Sequence, residues 1–250
     1  MKIKLITFIT MFVAVQFCGI MFSQNQPQKQ KNQTNIYYDA DIEMTISPCG
    51  NSFDVDFLPN EEMTIKEYAI KNNLKFVITG VQTTERNGKT VACGWYSDKG
   101  IVFGNMSRNR TLTHIVQFNT ATREFKLIPK KLFKAVKNFN LVEFQTGPLI
   151  IDNNKIVNEH IMNSGNYGGQ YTRSMLAIKD NSKAYLIVVR TPVSLTEAAE
   201  HILNSDLLKK GSVSVLNLDS GKQVSYYSGE HPEYNFNEDN TSTTLITVKK

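Results

Sequence analysis

Two apolar runs, 175–178 (MLAI) and 185–189 (YLIVV), flank the polar stretch Lys179-Asp180-Asn181-Ser182. Runs this short, bounded by turn-forming residues, read as strands joined in a hairpin. A connection this short permits only antiparallel pairing, because parallel strands need a crossover of about a dozen residues or more. The pattern recurs along the chain. Residues 53–57 (FDVDF) alternate with period two, as in a half-buried strand. Further strands are expected at 76–81, 91–96, 101–103, 114–118, 124–128, 141–146, 149–157, 213–218, 223–227 and 243–248. The 149–157 segment folds back at Asp152-Asn153-Asn154, residues that tolerate the positive φ of tight turns.

Helix signals are fewer. Thr64 with Glu67 three residues on forms a capping box for a helix over 65–73. Ser194 with Glu197 predicts a second box and the longest helix, 195–209, stopped at Lys209-Lys210-Gly211. Pro129-Lys130-Lys131 introduces a helical stretch to about residue 138. The expected fold class is α+β: a largely antiparallel or mixed sheet with two or three helices, in a single domain over 42–250.

The N-terminus reads as an export signal. Lys2 and Lys4 precede an almost uninterrupted apolar run over 5–22, and Ser23 marks a sharp switch to polar sequence. Cleavage near Ser23 is expected, which places the mature chain in a secreted or periplasmic setting with no stable membrane span. Residues 24–41 begin with a Gln/Asn/Lys-rich stretch lacking apolar periodicity and read as a flexible tether. Cys18 leaves with the leader, and Cys49 and Cys93 remain as either one disulfide or two unpaired thiols. Without the leader, 26 basic residues face 23 acidic ones. That balance, with no basic stripe interleaved with aromatics, gives no support for a nucleic-acid partner. No CxxC or HExxH spacing supports a protein-built zinc site.

Chemistry is expected in the second half. Phe144-Gln145-Thr146-Gly147-Pro148, Thr172-Arg173-Ser174 and Asn217-Leu218-Asp219-Ser220-Gly221 each join an apolar run to small or polar residues. A strand end that hands a side chain to a loop is where sites are commonly built. Carboxylate, guanidinium and carboxamides together suit a sugar or phosphate ester.

In order and spacing, these pieces resemble the phosphodiester glycosidases. That family runs through an aromatic-Gln-Ser/Thr-Gly-Pro motif, an Asp/Asn-containing turn, an Arg heading the next strand, a helix and an Asn-Leu-Asp loop. Here the match is FQTGPLIIDNNKIV, YTRSMLAI, YLIVV, SLTEAAEHIL and VLNLDSG, and the resemblance extends back to about Thr64. It implies a hydrolase of sugar phosphodiesters needing no cofactor, with a divalent cation possible beside the phosphate. Taken alone, Asp219 reads as a turn aspartate bonding its own backbone; the resemblance makes it the acid/base group. Arg173 is otherwise a surface or ion-paired arginine; the resemblance points it at phosphate or at organising the site. Gln145 and Asn217 would position the sugar, with Gly147 fixing the backbone beside them. Glu143, on the same strand face as Gln145, is the reserve second carboxylate. His160 is either a phosphate donor or a solvated loop histidine. The glycine-rich loop 163–170 (NSGNYGGQ) matches no nucleotide cradle and reads as a flexible loop.

Two departures from the family stand out. Ser220 replaces a glycine, which implies strain if the position needs positive φ. Cys93-Gly94-Trp95-Tyr96 stands where an Asn-Gly-Gly-aromatic motif is usual. The sequence therefore supports an exported glycosidase, and alternatively a non-catalytic glycan-binding or envelope-interaction module of the same fold. Asp219, Arg173 and Gln145 converging on one open cleft favours the first; Trp95 or Lys222 filling that cleft favours the second.

Overall fold

Consecutive apolar residues in a strand point to opposite sides, so runs such as 175–178 need cover on both faces. The computed structural model, which describes residues 36–50, 52–58, 63–86, 89–242 and 244–250, shows how that cover is supplied. The strands in chain order are β1 (Tyr37–Asp39), β2 (Met44–Pro48), β3 (Phe53–Phe57), β4 (Leu74–Thr79), β5 (Thr83–Arg86) and β6 (Lys89–Ala92). Next come β7 (Tyr96–Asp98), β8 (Ile101–Gly104), β9 (His114–Asn119), β10 (Glu124–Pro129), β11 (Leu141–Thr146) and β12 (Leu149–Asp152). The last are β13 (Lys155–Ile156), β14 (Tyr171–Lys179), β15 (Lys183–Val193), β16 (Val213–Ser220), β17 (Tyr226–Ser228) and β18 (Thr244–Lys249). Three helices join them: α1 (Ile65–Lys71), α2 (Glu159–Met162) and α3 (Leu195–Asn204).

All pairings among these strands are antiparallel. A seven-stranded sheet runs β1-β2-β15-β14-β16-β12-β13, a five-stranded one β10-β9-β11-β7-β8, and a four-stranded one β17-β4-β18-β3; β5 and β6 pair alone. One face of each large sheet meets in a common core: Leu176, Leu186 and Leu216 from the first, Phe118 and Phe144 from the second, Phe76 and Ile246 from the third. The other face of the seven-stranded sheet, with Met175, Ile187 and Val215, is covered by Leu195, Ala198, Ala199 and Ile202 of α3. Helix α1 covers the outside of the four-stranded sheet through Ile65 and Ala69. This is the α+β architecture expected, in one domain.

The hairpin turns are as the sequence suggests. Asn153 and Asn154 have φ of 48° and 65°, and Asp180 and Asn181 have φ of 52° and 55°. The Thr64 capping box is complete in both directions. At Ser194 only half of the box forms: its hydroxyl accepts from Glu197 N at 3.1 Å.

Several boundaries need correction. Residues 1–35, including the expected leader and most of the tether, lie outside the described residues. The tether was expected to reach residue 41, but β1 lies inside it and pairs with β2, and Tyr38 stacks on Tyr234 at 5.2 Å. Helix α3 stops at Asn204 instead of 209, where Ser205 turns extended and its buried hydroxyl donates to Ile202 O at 2.8 Å. The helical stretch to 138 reduces to a 3-10 turn at Lys130–Leu132. Leu132, Val136 and Phe139 there are exposed, and a short helix that buries nothing is not stable. The expected 91–96 strand breaks between β6 and β7, and 223–227 begins as a 3-10 turn before β17.

Candidate active site

The geometry of the site begins with one extra residue in β16. Ser174 pairs with Asp219 and its neighbour Met175 pairs with Asn217, leaving Leu218 as a bulge. Cross-strand partners share a face, and Ser174 and Met175 point to opposite faces. The bulge therefore puts Asn217 on the helix-covered face and turns Asp219 to the other, an established use of bulges. Simple alternation would have set both on one face.

Asp219, Ser220 and Gly221 line an open polar cleft of about 510 Å³, together with Gln82, Asn109, Tyr167 and Tyr171. The Asp219 carboxyl accepts one hydrogen bond, from Ser220 N to Oδ1 at 2.8 Å. Burial outweighs that bond and pushes its pKa up to about 6. The thiol of Cys93 is raised too, first by burial and then by the nearby negative charge of Asp219, so it stays protonated. Cys93 and Cys49 are both unpaired thiols, and Cys49 is packed in the common core.

Arg173 does not reach into the cleft but builds its wall from behind. Its guanidinium is fully buried and donates to Gly169 O at 2.7 Å, Tyr167 O at 3.2 Å, Val193 O and the Ser220 hydroxyl at 2.8 Å. It also sits over the Tyr171 ring at 5.2 Å. Burial lowers its pKa to about 10, still far above neutral. The loop 163–170 is consequently tied down: Tyr167 sits in a 3-10 turn, and its hydroxyl accepts from Gln82 Nε2 at 2.9 Å. The same hydroxyl accepts from Thr111 Oγ1 at 3.1 Å.

Ser220 is unstrained. Its φ of −149° is ordinary extended backbone, and the positive φ falls one residue later at Gly221, 81°. Its hydroxyl oxygen accepts from Arg173 and, at 3.4 Å, from Asn217 Nδ2. Both lone pairs are thus engaged and its O–H is left to donate. Asn217 is fully buried, and its Oδ1 has no partner among the described residues.

The remaining sequence candidates lie elsewhere. The Gln145 carboxamide is spent on backbone: Oε1 accepts from Ser107 N at 2.8 Å and Trp95 N at 3.2 Å, and Nε2 donates to Leu112 O and Ser107 O. It is a staple, not a sugar contact. Glu143 is buried and accepts from Gln117 Nε2 at 2.7 Å and the Trp95 indole at 3.2 Å, outside the cleft lining. Gly147 has φ of 148°, and a Cβ there would meet Thr111 O at 2.6 Å, so its role is close packing. His160 lies exposed on α2 and does not line the cleft. Neither Trp95 nor Lys222 fills the cleft. The donor set does not fit a bound cation: Asp219 is the one carboxylate in the lining, and no group of three His, Cys, Asp or Glu assembles among the described residues.

Sequence reasoning missed Gln82, Asn109, Tyr167 and Tyr171. Tyr171 adjoins the Thr172-Arg173-Ser174 motif and Tyr167 lies in the noted glycine-rich loop, so a signal existed for these two. Gln82 and Asn109 reach the cleft only through tertiary folding.

The phosphodiester glycosidase family matches residues 66–248, and the chain belongs to that family. No curated protein matches it. Among solved structures it is similar to the catalytic domain of zebrafish N-acetylglucosamine-1-phosphodiester alpha-N-acetylglucosaminidase, auto-inhibited by its pro-peptide. The TM-score is 0.61 at 12% identity, over 86% of this chain and 81% of that one. A putative exported protein from Burkholderia pseudomallei matches at TM-score 0.49 and 8% identity, over 83% of this chain and 74% of the other.

Proposed function

We propose that this chain is an exported glycosidase that hydrolyses a sugar-1-phosphodiester or a related cell-surface glycan, with Asp219 as its acid/base group. The observation that carries this reading is the Asp219 carboxyl, raised to about 6 and lining an open polar cleft. A group with that pKa exchanges protons readily near neutral pH. The leaving group in such a reaction is a phosphate ester, which carries negative charge well and needs little protonation. Assistance is needed on the attacking side, so Asp219 acts as the base that takes a proton from water as the sugar's anomeric bond to oxygen breaks. One carboxylate then suffices, consistent with Glu143 being held elsewhere. Tyr167 and Tyr171 supply faces for a sugar ring, and the free O–H of Ser220 is a donor for a phosphate or sugar oxygen. Arg173 contributes as a positioning residue, through Ser220 and the loop.

One observation favours the alternative, a glycan-binding or envelope-interaction module without activity. Cys93, which stands where the family carries Asn, lies beside Asp219. The deciding experiment incubates the chain from Gln24 onward with an aryl-phospho-N-acetylglucosamine diester, beside Asp219→Asn. Sugar release that the variant lacks supports the enzyme. Glycan binding without release, from folded protein, supports the module. Export is tested separately: N-terminal sequencing of protein recovered outside the cytoplasm should begin near Gln24.

A further inference from the structure

The formal charge of +5 hides a strong segregation. Residues 99–142 carry nine Lys and Arg against one acidic residue, Glu124, so the rest of the chain is net negative. The same stretch holds seven of the ten large exposed hydrophobic side chains among the described residues, including Leu132 at 64% and Phe139 at 67% exposure. Two separate segments build this face. One is β8, an edge strand of the five-stranded sheet, which exposes Val102 on one side and Ile101 and Phe103 on the other, Phe103 against Tyr96. The other is the irregular segment after Lys130–Leu132. The fold joins them: a Cβ at Gly100 would lie 3.4 Å from Lys137 Cγ and 3.7 Å from Phe139 Cδ1, and Lys99 N donates to Leu141 O at 2.9 Å. Lys99 has Asp98 as a partner at 3.6 Å, but Lys131, Lys134 and Lys137 form no ion pair among the described residues.

We propose that this face docks on a bilayer containing anionic phospholipid. Unpaired lysines beside protruding apolar side chains answer the two layers of such a surface, its charged headgroups and its acyl boundary. Phe103 and Phe139 could stack on a base, but Ile101, Val102, Met106, Leu132 and Val136 have no π-face and gain only from leaving water, so the aliphatic majority favours an acyl boundary over a nucleic-acid groove. The face also reaches the cleft: Lys130 Nζ donates to Asn109 O, and Asn109 lines the cleft.

The test is co-sedimentation of the chain from Gln24 onward, which lacks the apolar leader, with two kinds of vesicle. One is phosphatidylcholine alone; the other mixes phosphatidylcholine and phosphatidylglycerol in equal parts. Binding is expected only to the anionic vesicles, weakening with added salt. Each lysine at such a surface contributes about fivefold in partition, so Lys131→Gln/Lys134→Gln/Lys137→Gln should lose about a hundredfold. Leu132→Ser/Val136→Ser/Phe139→Ser should also lose affinity and retain only the salt-sensitive part. The thermal midpoints of both variants should match the parent, since the altered side chains are exposed. Equal binding to both vesicles, no binding to either, or unchanged binding by the lysine variant would overturn the proposal. So would tight binding to single-stranded DNA with none to anionic vesicles. None of these readouts depends on turnover, so they stand apart from the proposed activity.

Discussion

Arg173 Nη1 donates to the Ser220 hydroxyl at 2.8 Å, and no carboxylate pairs with that guanidinium among the described residues. A buried cation is ordinarily neutralised by an acid or stripped of its proton. Here its charge is spread over three backbone carbonyls and one hydroxyl, all belonging to the cleft's walls. The arrangement makes Arg173 the fastener of the site and gives Ser220 a polarised O–H.

Arg173→Met is expected to cost about 3 kcal/mol or more, because it orphans the carbonyls of Tyr167, Gly169 and Val193 in a buried setting. Urea unfolding measures the loss. Limited proteolysis should show new cleavage within residues 163–170, whose anchor is gone. Arg173→Lys should recover little of the stability, since one ammonium cannot serve that spread of acceptors.

Ser220→Gly should destabilise the protein, although it restores the residue usual in the family. The backbone at Ser220 is already extended, so glycine relieves no strain. The change removes an acceptor from both Arg173 and Asn217. About 1–2 kcal/mol is expected from denaturation. A gain in stability would show that the hydroxyl contributes nothing.

The raised Asp219 carboxyl couples stability to pH. Its folded pKa of about 6 exceeds the ordinary 3.8, so the native state holds the proton more tightly than the unfolded chain. The stabilisation is complete below about pH 4 and is lost as pH rises through about 6. Asp219→Asn should therefore raise the thermal midpoint above pH 6, by an amount corresponding to about 1–3 kcal/mol, and change it little at pH 4. The same variant should lower turnover about a hundredfold to ten-thousandfold. Parent turnover should rise with pH around a midpoint near 6, as a base requires.

Gly94→Ala should be costly because the new methyl would lie 2.6 Å from Gln145 Oε1. Overpacking of this kind costs about 1–3 kcal/mol. Gln145→Ala removes the carboxamide part of the obstacle, leaving its own Cβ 2.9 Å from the new methyl, and also removes its four backbone bonds. The double variant should therefore cost less than the sum of the two singles, which a double-mutant cycle in urea resolves. Gln145→Ala should act on stability, without the selective rise in KM that a sugar contact would produce.

Much of the fold is legible because its signals are local. Asparagines at positive φ, the Thr64 capping box and period-two alternation each act within a few residues, and they appear where the sequence puts them. The errors fall where local preference had no tertiary support. The 133–138 segment carries helix-forming residues but leaves most of its apolar side chains exposed, and α3 ends early because the buried Ser205 hydroxyl takes the carbonyl of Ile202.

At the site, the sequence offered Asp219, Arg173, Asn217 and Gln145 as candidates, through three motifs whose order resembles a known family. What each one does was decided by tertiary structure. The Leu218 bulge separates Asp219 from Asn217, and such a bulge exists only in the register against β14. Gln145 and Glu143 are consumed by Ser107, Leu112, Trp95 and Gln117, partners between 26 and 50 residues away. The cleft takes Gln82 and Asn109 from loops with no motif. A side chain's chemical type is written in the sequence; whether its hydrogen-bonding capacity is free for a ligand depends on which distant backbone reaches it first.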